Sequence, residues 1–402
     1  MKEKKWIKLR HIIISAIAYP IVWAMTVLKY HVKFERFKEA RKRKFLILYN
    51  HQTAYDQFFI GLSFVRPVYY LATEDIFSMG FLSKLLRYSV APIPIKKQTS
   101  DLNAVKLCIK VANEGGNIAI APEGQRTYSG VTTYINPAIV TLAKKINLPI
   151  AFFKIEGGYG VQPRWSDCIR KGKLTAKVSK IVEPEEFNAL SKEELYDLIC
   201  KELYVNEANS EESYKSKKPA EYLERAVYYC PKCGLSTFIS HKDTISCLTC
   251  QKTIRYLDTK KLEGVAEPFE YEYVLDWIKA QEKYVNTLDL TKDTATCLYS
   301  EAADFYKVIV YKRKELISKG ARVSLYPDKV IVKYGENAEE EFLFDEIKAV
   351  TVLGKNKLNI YKDKDIFQLK PSKSFNAVKY VNIFHRYKNI RTGKENDEFL
   401  GL

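Results

Sequence analysis

A chain of 402 residues, 47% hydrophobic and 13% aromatic, has material for two or three domains with real cores, which excludes a chain lacking a packed interior. Its net charge of +17 asks for anionic partners: a phosphorylated substrate, an anionic membrane surface or nucleic acid. Its cysteine usage does not look like a disulfide framework. Four form two Cys-x-x-Cys pairs, and Cys108, Cys168, Cys200 and Cys297 are scattered singly, which suits a reducing compartment.

Lys2, Lys4, Lys5, Lys8 and Arg10 precede an apolar run from Ile12 to Leu28. No small-residue cleavage site follows, which disfavours a cleaved signal. As a helix the run measures ~25 Å, short of the ~30 Å hydrocarbon core, and Pro20 would kink it. The far flank is also basic (Arg36, Lys38, Arg41, Lys42, Arg43, Lys44), so both ends prefer the cytoplasmic face. The expectation is a helix embedded in the inner leaflet without crossing it. A true span and a buried soluble helix are the alternatives. Trp6, Tyr19, Trp23 and Tyr30 suit an interfacial depth.

From Lys44 to about Asn209 apolar runs at 45–49, 68–72, 90–95, 118–121 and 149–155 read as strands. Helical patterns near 54–65, 75–88, 100–113 and 137–146 lie between them. Such alternation predicts an α/β layer with a mainly parallel sheet, whose sites lie past the carboxyl ends of the strands. Lys173–Val178 reads as a further strand, and Ser191-Lys192-Glu193-Glu194 has the form of a capping box opening a last helix.

The first strand ends in Asn50-His51-Gln52-Thr53-Ala54-Tyr55-Asp56. If the chain turns into a helix after His51, Asp56 can accept a hydrogen bond from one ring nitrogen and leave the other free to take a proton from a substrate hydroxyl. No nucleophilic Ser or Cys is obvious beside it, which points to direct attack by that hydroxyl. A helix cap without chemistry is the competing account. The strand at 118–121 ends in Ala121-Pro122-Glu123-Gly124-Gln125-Arg126-Thr127. There Arg126 offers a planar fork to a phosphate, and Gly124 lets the backbone approach a ligand; a plain surface turn is the alternative.

Together the two segments resemble the glycerolipid acyltransferase family, which carries Asn-His-x-x-x-x-Asp and later Glu-Gly-x-Arg-Ser/Thr at about this separation. The resemblance spans roughly residues 36–205. It implies that His51 and Asp56 are catalytic, and that Glu123, Gly124, Arg126 and Thr127 shape a pocket for the phosphate of a lysophospholipid such as 1-acyl-sn-glycerol-3-phosphate. The donor it implies is acyl-CoA or acyl carrier protein. Members usually have an arginine after an apolar strand where this chain has Ala91-Pro92-Ile93-Pro94-Ile95-Lys96-Lys97, so Lys96 or Lys97 takes that phosphate role, or both are simply solvated. The late proline motif of the family is met only at Pro149; Phe152 stands where a second proline is common.

Glu211–Lys218 reads as a linker. Cys230-Pro231-Lys232-Cys233 and Cys247-Leu248-Thr249-Cys250, 13 residues apart, resemble a zinc ribbon. Four cysteine ligands leave no position for a catalytic water, so this zinc would be structural. A redox pair or disulfides are the alternative. A helical stretch from Phe269 to Leu288 follows, with Tyr271, Val274, Trp277 and Ile278 at helical spacing. Seven short strands then run at 305–311, 322–326, 329–334, 341–344, 349–353, 357–361 and 366–369, with an amphipathic helix near 374–387. Strands closed by one helix resemble a pleckstrin-homology-like domain.

The expected fold is thus an α/β acyltransferase domain with a mainly parallel sheet, plus a zinc ribbon and a small β-rich domain closed by a C-terminal helix. The expected boundaries are 1–35 for the membrane-associated helix, 36–209 for the acyltransferase domain, 210–228 for the linker, 229–257 for the ribbon, 258–290 for a connecting helix and 291–402 for the last domain. The expected partners are a membrane lipid substrate and an anionic bilayer at the cytoplasmic face, with acyl carrier protein as one possible donor. A zinc-ribbon nucleic-acid binder is the alternative. The mixed charges of the ribbon (Lys232, Lys242, Asp243, Lys252, Arg255, Asp258) and the N-terminal apolar run disfavour it. A membrane scaffold with an inactive fold is a third reading, disfavoured by the intact motifs.

Overall fold

The computed structural model describes residues 5–95 and 102–394. Contacts divide the chain into two units: residues up to Pro163 with Ile169–Tyr214, and Arg164–Cys168 with the residues from Lys215 onward.

In the first unit the chain runs α1 (Leu9–Tyr30), β1 (Lys33–Phe34), β2 (Leu46–Tyr49), α2 (Asp56–Phe64), β3 (Val68–Thr73), α3 (Phe81–Ser89), β4 (Ile93–Ile95) and α4 (Leu102–Asn113). It continues through β5 (Asn117–Ile120), α5 (Ala138–Ile146), β6 (Ile150–Glu156), α6 (Gly158–Val161), β7 (Thr175–Val182), α7 (Pro184–Ala189) and α8 (Lys192–Leu203). The strands form one sheet in the order β1-β7-β6-β2-β5-β3-β4, parallel at every pairing except β6–β7. β2, at the centre, is apolar at every position and its neighbours β5 and β6 nearly so, because both faces are covered. Leu46 and Leu48 of β2 pack on one face with Cys108, Ile139 and Leu195. Phe45, Ile47 and Tyr49 pack on the other with Phe59, Ile60 and Phe64 of α2. Ser191 opens α8 as anticipated: its hydroxyl accepts from Glu194 N–H (3.0 Å) and the Glu194 carboxylate accepts from Ser191 N–H (2.8 Å).

Connectivity places the site. From β2 the chain crosses over β5 to reach β3, whereas from β5 it crosses back over β2 to reach β6. The two crossovers use opposite faces, α2 on one and α5 on the other. A crevice therefore opens between the carboxyl ends of β2 and β5, the position where open α/β sheets bind ligands.

α1 is longer than its apolar run. It takes in Leu9–His11 at one end and Lys29–Tyr30 at the other, closing on His31 in the left-handed conformation (φ 52°). Twenty-two residues span ~33 Å, so the helix is long and apolar enough to cross a bilayer, and the expectation that it falls short does not hold. Both of its ends are also attached to the first unit. Just before the helix, Trp6 and Ile7 N–H groups donate to the Glu114 carboxylate (3.0 and 2.8 Å), and Trp6 Nε1 donates to Ala91 O (3.1 Å). At the other end Tyr30 is buried against Tyr55, ring centroids 4.7 Å apart, and donates to Gln162 Oε1 (3.4 Å). Both ends are fastened to the same unit, so the helix lies along the domain.

In the second unit β8 (Tyr229–Cys230) and β9 (Gly234–Leu235) form a small hairpin. β10 (Phe238–His241), β11 (Thr244–Cys247), β12 (Thr253–Tyr256) and β13 (Leu262–Gly264) form an antiparallel sheet. α9 (Val274–Thr287) starts later than the periodicity predicts. Tyr273 N–H is held by Asp276 Oδ2 (3.0 Å), so Phe269 and Tyr271 precede the helix, and the Phe269 ring packs against that of Trp277 (centroids 4.8 Å apart). β14 (Tyr299–Lys307), β15 (Glu315–Leu325), β16 (Lys329–Tyr334), β17 (Ala338–Leu343), β18 (Ile347–Leu353), β19 (Lys357–Lys362) and β20 (Asp365–Pro371) then form an antiparallel sheet in the order β17-β16-β15-β14-β20-β19-β18, followed by α10 (Val378–Arg391). The first of these strands ends at Lys307, so Ile309, Val310 and Tyr311 belong to the turn into β15, where Tyr311 takes a positive φ of 70°. Within the stretch read as a linker, Tyr214 is buried in the first unit against Gly160 and Gly172, where a Cβ would lie 2.2 Å from its ring. Residues from Pro219 to Tyr228 are mostly buried in the second unit.

Candidate active site

His51 leaves β2 at its carboxyl end, and α2 begins five residues later on Asp56. The Asp56 side chain is fully buried and accepts four hydrogen bonds. Oδ2 accepts from Gln52 N–H (2.8 Å) and His51 Nδ1 (2.7 Å); Oδ1 accepts from Thr53 N–H (2.9 Å) and Thr53 Oγ1 (2.7 Å). Thr53 Oγ1 itself accepts from Tyr55 N–H (3.0 Å), which leaves its hydrogen for Asp56. Three of these partners, the Gln52 and Thr53 N–H groups and the Thr53 hydroxyl, can only donate here, so the carboxylate is read as an acceptor and Nδ1 of His51 is assigned as the protonated ring nitrogen. Nε2 carries the free lone pair, on a side chain that is 25% exposed. The same bonds close residues 51–56 into the turn that leads into α2, with Asp56 at the helix's positive end.

The residues around this pair fasten it to the sheet. Asn50 is fully buried and binds both backbone groups of Ile155: Nδ2 donates to its O (2.7 Å) and Oδ1 accepts from its N–H (2.8 Å). Asn50 is thus a clamp between the β2 loop and β6. Gly158 packs on the loop from the other side, where a Cβ would stand 2.5 Å from Gln52 Cβ and 3.1 Å from Thr53 Cγ2. The segment carrying Gly158 is held by Glu207, whose buried carboxylate accepts from Gly157 N–H and from Tyr159 N–H (3.0 Å). Gly158→Ala is accordingly expected to displace residues 52–53, costing ~1–3 kcal/mol of stability and about 10²-fold in kcat through misplacement of His51. Steady-state kinetics beside a melting curve measures both, and unchanged kcat would show that the loop tolerates the push.

The second loop lies on the same edge of the sheet, because β2 and β5 are adjacent and parallel. Glu123 is buried and reaches across: Oε1 accepts from His51 N–H (2.8 Å), and Oε2 accepts from Thr133 N–H (3.3 Å). Gly124 takes φ +68° in the turn closed by its N–H to Ala121 O (3.0 Å), a conformation that favours glycine. Arg126, two residues on, is buried. Thr127 Oγ1 accepts from Ser129 N–H (3.1 Å) and Gly130 N–H (3.0 Å), so the hydroxyl shapes the loop. The structure thus brings His51, Asp56 and Glu123 into one hydrogen-bonded group, with Gly124, Arg126 and Thr127 on the adjoining loop. Lys96 and Lys97 lie outside the described residues. Thr53, Gly158 and Glu207 escaped sequence reasoning. Only Thr53 carried a local signal, a threonine three positions before an aspartate that opens a helix.

Burial, with the Asp56 charge adding to it, pushes the Glu123 carboxyl up to about 8, against the opposing pull of the His51 and Thr133 N–H donors. An acid whose value is raised on folding binds more protons folded than unfolded. Its stabilising contribution is full below the ordinary value of 4.5 and is lost as pH rises through about 8. Stability should therefore decline across that interval, and Glu123→Gln should flatten the decline. Urea midpoints measured from pH 5 to pH 8 test this; parallel slopes in the two proteins would contradict it.

The four cysteines of the second unit also converge. Cys230 and Cys233 flank the turn of the β8–β9 hairpin, and Cys247 and Cys250 flank the turn between β11 and β12. Each turn is closed by a backbone bond, Cys233 N–H to Cys230 O (3.2 Å) and Gln251 N–H to Cys247 O (3.0 Å). The four Sγ atoms lie within 4.8 Å of one another, Cys230 and Cys250 being 3.6 Å apart. A tetrahedral four-thiolate zinc with ~2.3 Å bonds needs sulfurs about 3.8 Å apart, so these donors fit one. A disulfide would need about 2.05 Å.

Comparison with known proteins bears on the first unit. A solved structure of the 1-acyl-sn-glycerophosphate (LPA) acyltransferase PlsC from Thermotoga maritima is 22% identical at a TM-score of 0.39, covering 48% of this chain and 75% of that chain. The search of curated proteins found no match. Residues 31–154, which contain both the His51–Asp56 pair and the Glu123–Arg126 loop, match the acyltransferase family model.

Proposed function

We propose that the first unit moves a fatty acyl group from a thioester, acyl-CoA or acyl carrier protein, to the free hydroxyl of a lysophospholipid such as 1-acyl-sn-glycerol-3-phosphate. The observation that carries this reading is the set of fixed donors around Asp56, which favours His51 protonated on Nδ1 and so suits Nε2 to the part of general base. Nε2 takes the hydroxyl proton as the oxygen attacks the thioester carbonyl. The tetrahedral adduct collapses, the C–S bond breaks, and the imidazolium returns the proton to the leaving thiolate. Asp56 stabilises the imidazolium while it exists. Arg126 holds the phosphate of the acceptor, with Gly124 admitting it and Glu123 tying the Arg126 loop to the backbone of His51. Lys96 or Lys97 is assigned to the same phosphate.

α1 lies in one leaflet at the cytoplasmic face, since both its ends are tied to one unit, and the acceptor enters from the bilayer. The four cysteines hold a structural zinc, whose bound ion would cross-link the two hairpins. The terminal β-rich region closed by α10 is read as a pleckstrin-homology-like docking module. Mass spectrometry of products from mixed lysophospholipids, offered with each donor, tests the reading. Acylated phospholipid formed by the native chain and absent with His51→Ala supports it; no acylated product from either donor refutes it.

A further inference from the structure

α3 is built inside out. Ser83 faces the domain, where its hydroxyl donates to Ile76 O (2.6 Å) and accepts from Met79 N–H (2.7 Å). Apart from half-buried Leu86, the large apolar side chains of the helix point away from it. Phe81 is 81% exposed, and Leu82, Leu85 and Tyr88 are 43%, 50% and 56% exposed. Positions 81, 85 and 88 follow one helical stripe, and Met79 and Val90, beyond either end of the helix, are exposed as well. A contiguous apolar surface of this kind marks a contact.

The neighbouring helix shows what covers it. α1 packs beside α3 and also turns apolar residues outward, among them Leu9, Ile13, Ile17 and Ile21. Arg10 joins the two helices: Nε donates to Tyr88 O (2.9 Å), and the guanidinium stands 4.1 Å from the centre of the Tyr88 ring. Neither helix contains an aspartate or glutamate, while Arg10, Lys29, Lys84 and Arg87 carry positive charge on them. An acid-free apolar face with cations and aromatic rings at its margin complements the headgroups and acyl chains of an anionic leaflet. A second copy of the same face would bring like charges together.

We infer that α3 and α1 form a single bilayer-embedded face, with α3 lying in the interface of an anionic leaflet and Phe81 and Leu85 among the acyl chains. β3 is parallel to β5 and β2, so it enters the turn before α3 from the edge that carries His51. The start of α3 therefore lies at the same edge of the sheet as the crevice. The inference does not rest on acyl transfer, and the test is carried out in the His51→Ala chain.

The probe is a vesicle of phosphatidylcholine and phosphatidylglycerol, with and without dibrominated phosphatidylcholine. Tryptophan at position 81 (Phe81→Trp) should be quenched by the brominated lipid. Lys192→Trp, on α8 over β6 in the other half of the sheet, should show no added quenching. F81E/L85E should weaken partitioning into the vesicles by roughly tenfold or more, since two apolar side chains leave the hydrocarbon. Vesicle-bound protein whose Phe81→Trp emission ignores the bromine overturns the inference, as does unchanged partitioning of F81E/L85E. A blue shift of the Phe81→Trp emission that needs no vesicles and grows with protein concentration also overturns it, because a second copy would then be the cover.

Discussion

Replacing His51 with alanine is expected to lower kcat/KM for acyl transfer by about 10²–10⁴-fold, the usual contribution of a positioned general base, with little change in melting temperature. The imidazole is partly exposed and its own ring makes one hydrogen bond, to Asp56, so truncation leaves the loop's backbone bonds to Asp56 and Glu123 in place. Asp56→Asn should be as damaging to rate and worse for stability. An asparagine presents an NH₂ group to one pair of the four donors that now converge on the carboxylate. Each buried N–H left unsatisfied costs about 1–3 kcal/mol, and the ring loses the acceptor that fixes its tautomer. Kinetics with a defined lysophospholipid, read beside urea unfolding, separates the two variants. Native activity in His51→Ala would end the general-base assignment. A stable but slow Asp56→Asn would show that Asp56 acts on the ring more than on the fold.

The second large effect is expected at the four cysteines. Removing the metal from the native chain with a strong chelator, or removing one ligand by Cys247→Ser, should release zinc and open the β8–β9 and β10–β13 hairpins to protease. The sheet of β10–β13 is small, and the bond energy of a structural zinc, about 10–16 kcal/mol in isolated peptides, is folding energy for such a module. Part of it is replaced here by packing, since Trp277 fills the space beside Phe238 and donates to Tyr229 O (2.7 Å). Cys297→Ser is the control, because Cys297 is exposed and stands apart from the cluster. Zinc content by elemental analysis and cleavage mapped by mass spectrometry measure the outcome. Equal metal content in Cys247→Ser and native protein would remove the assignment.

Local chemistry was enough to read much of this chain. Apolar runs with the right length and spacing marked β2 to β6, because strands covered on both faces are mostly apolar, whereas the two-residue edge strand β1 was missed. His51 and Asp56 were legible since a five-residue step into a helix brings the two side chains together with no help from the rest of the fold. The cysteine knuckles were legible for the same reason. Boundaries failed where a neighbour overrode the local pattern. β14 ends at Lys307 and leaves Ile309 and Val310 in a turn, and α9 waits for the Tyr273–Asp276 cap.

What the tertiary structure alone decided concerns partners far apart in sequence. Periodicity could not show that Asn50 clamps Ile155, that Glu207 holds the segment bearing Gly158, or that Glu123 grips the backbone of His51, for these pairs are 105, 50 and 72 residues apart. They depend on strand order, which brings the ends of β2, β5 and β6 to one edge. Nor could it show which side of α3 faces water. Its pattern predicts apolar residues inward, yet Ser83 is the buried one, because a helix's inner face is set by what it packs against and not by its own composition.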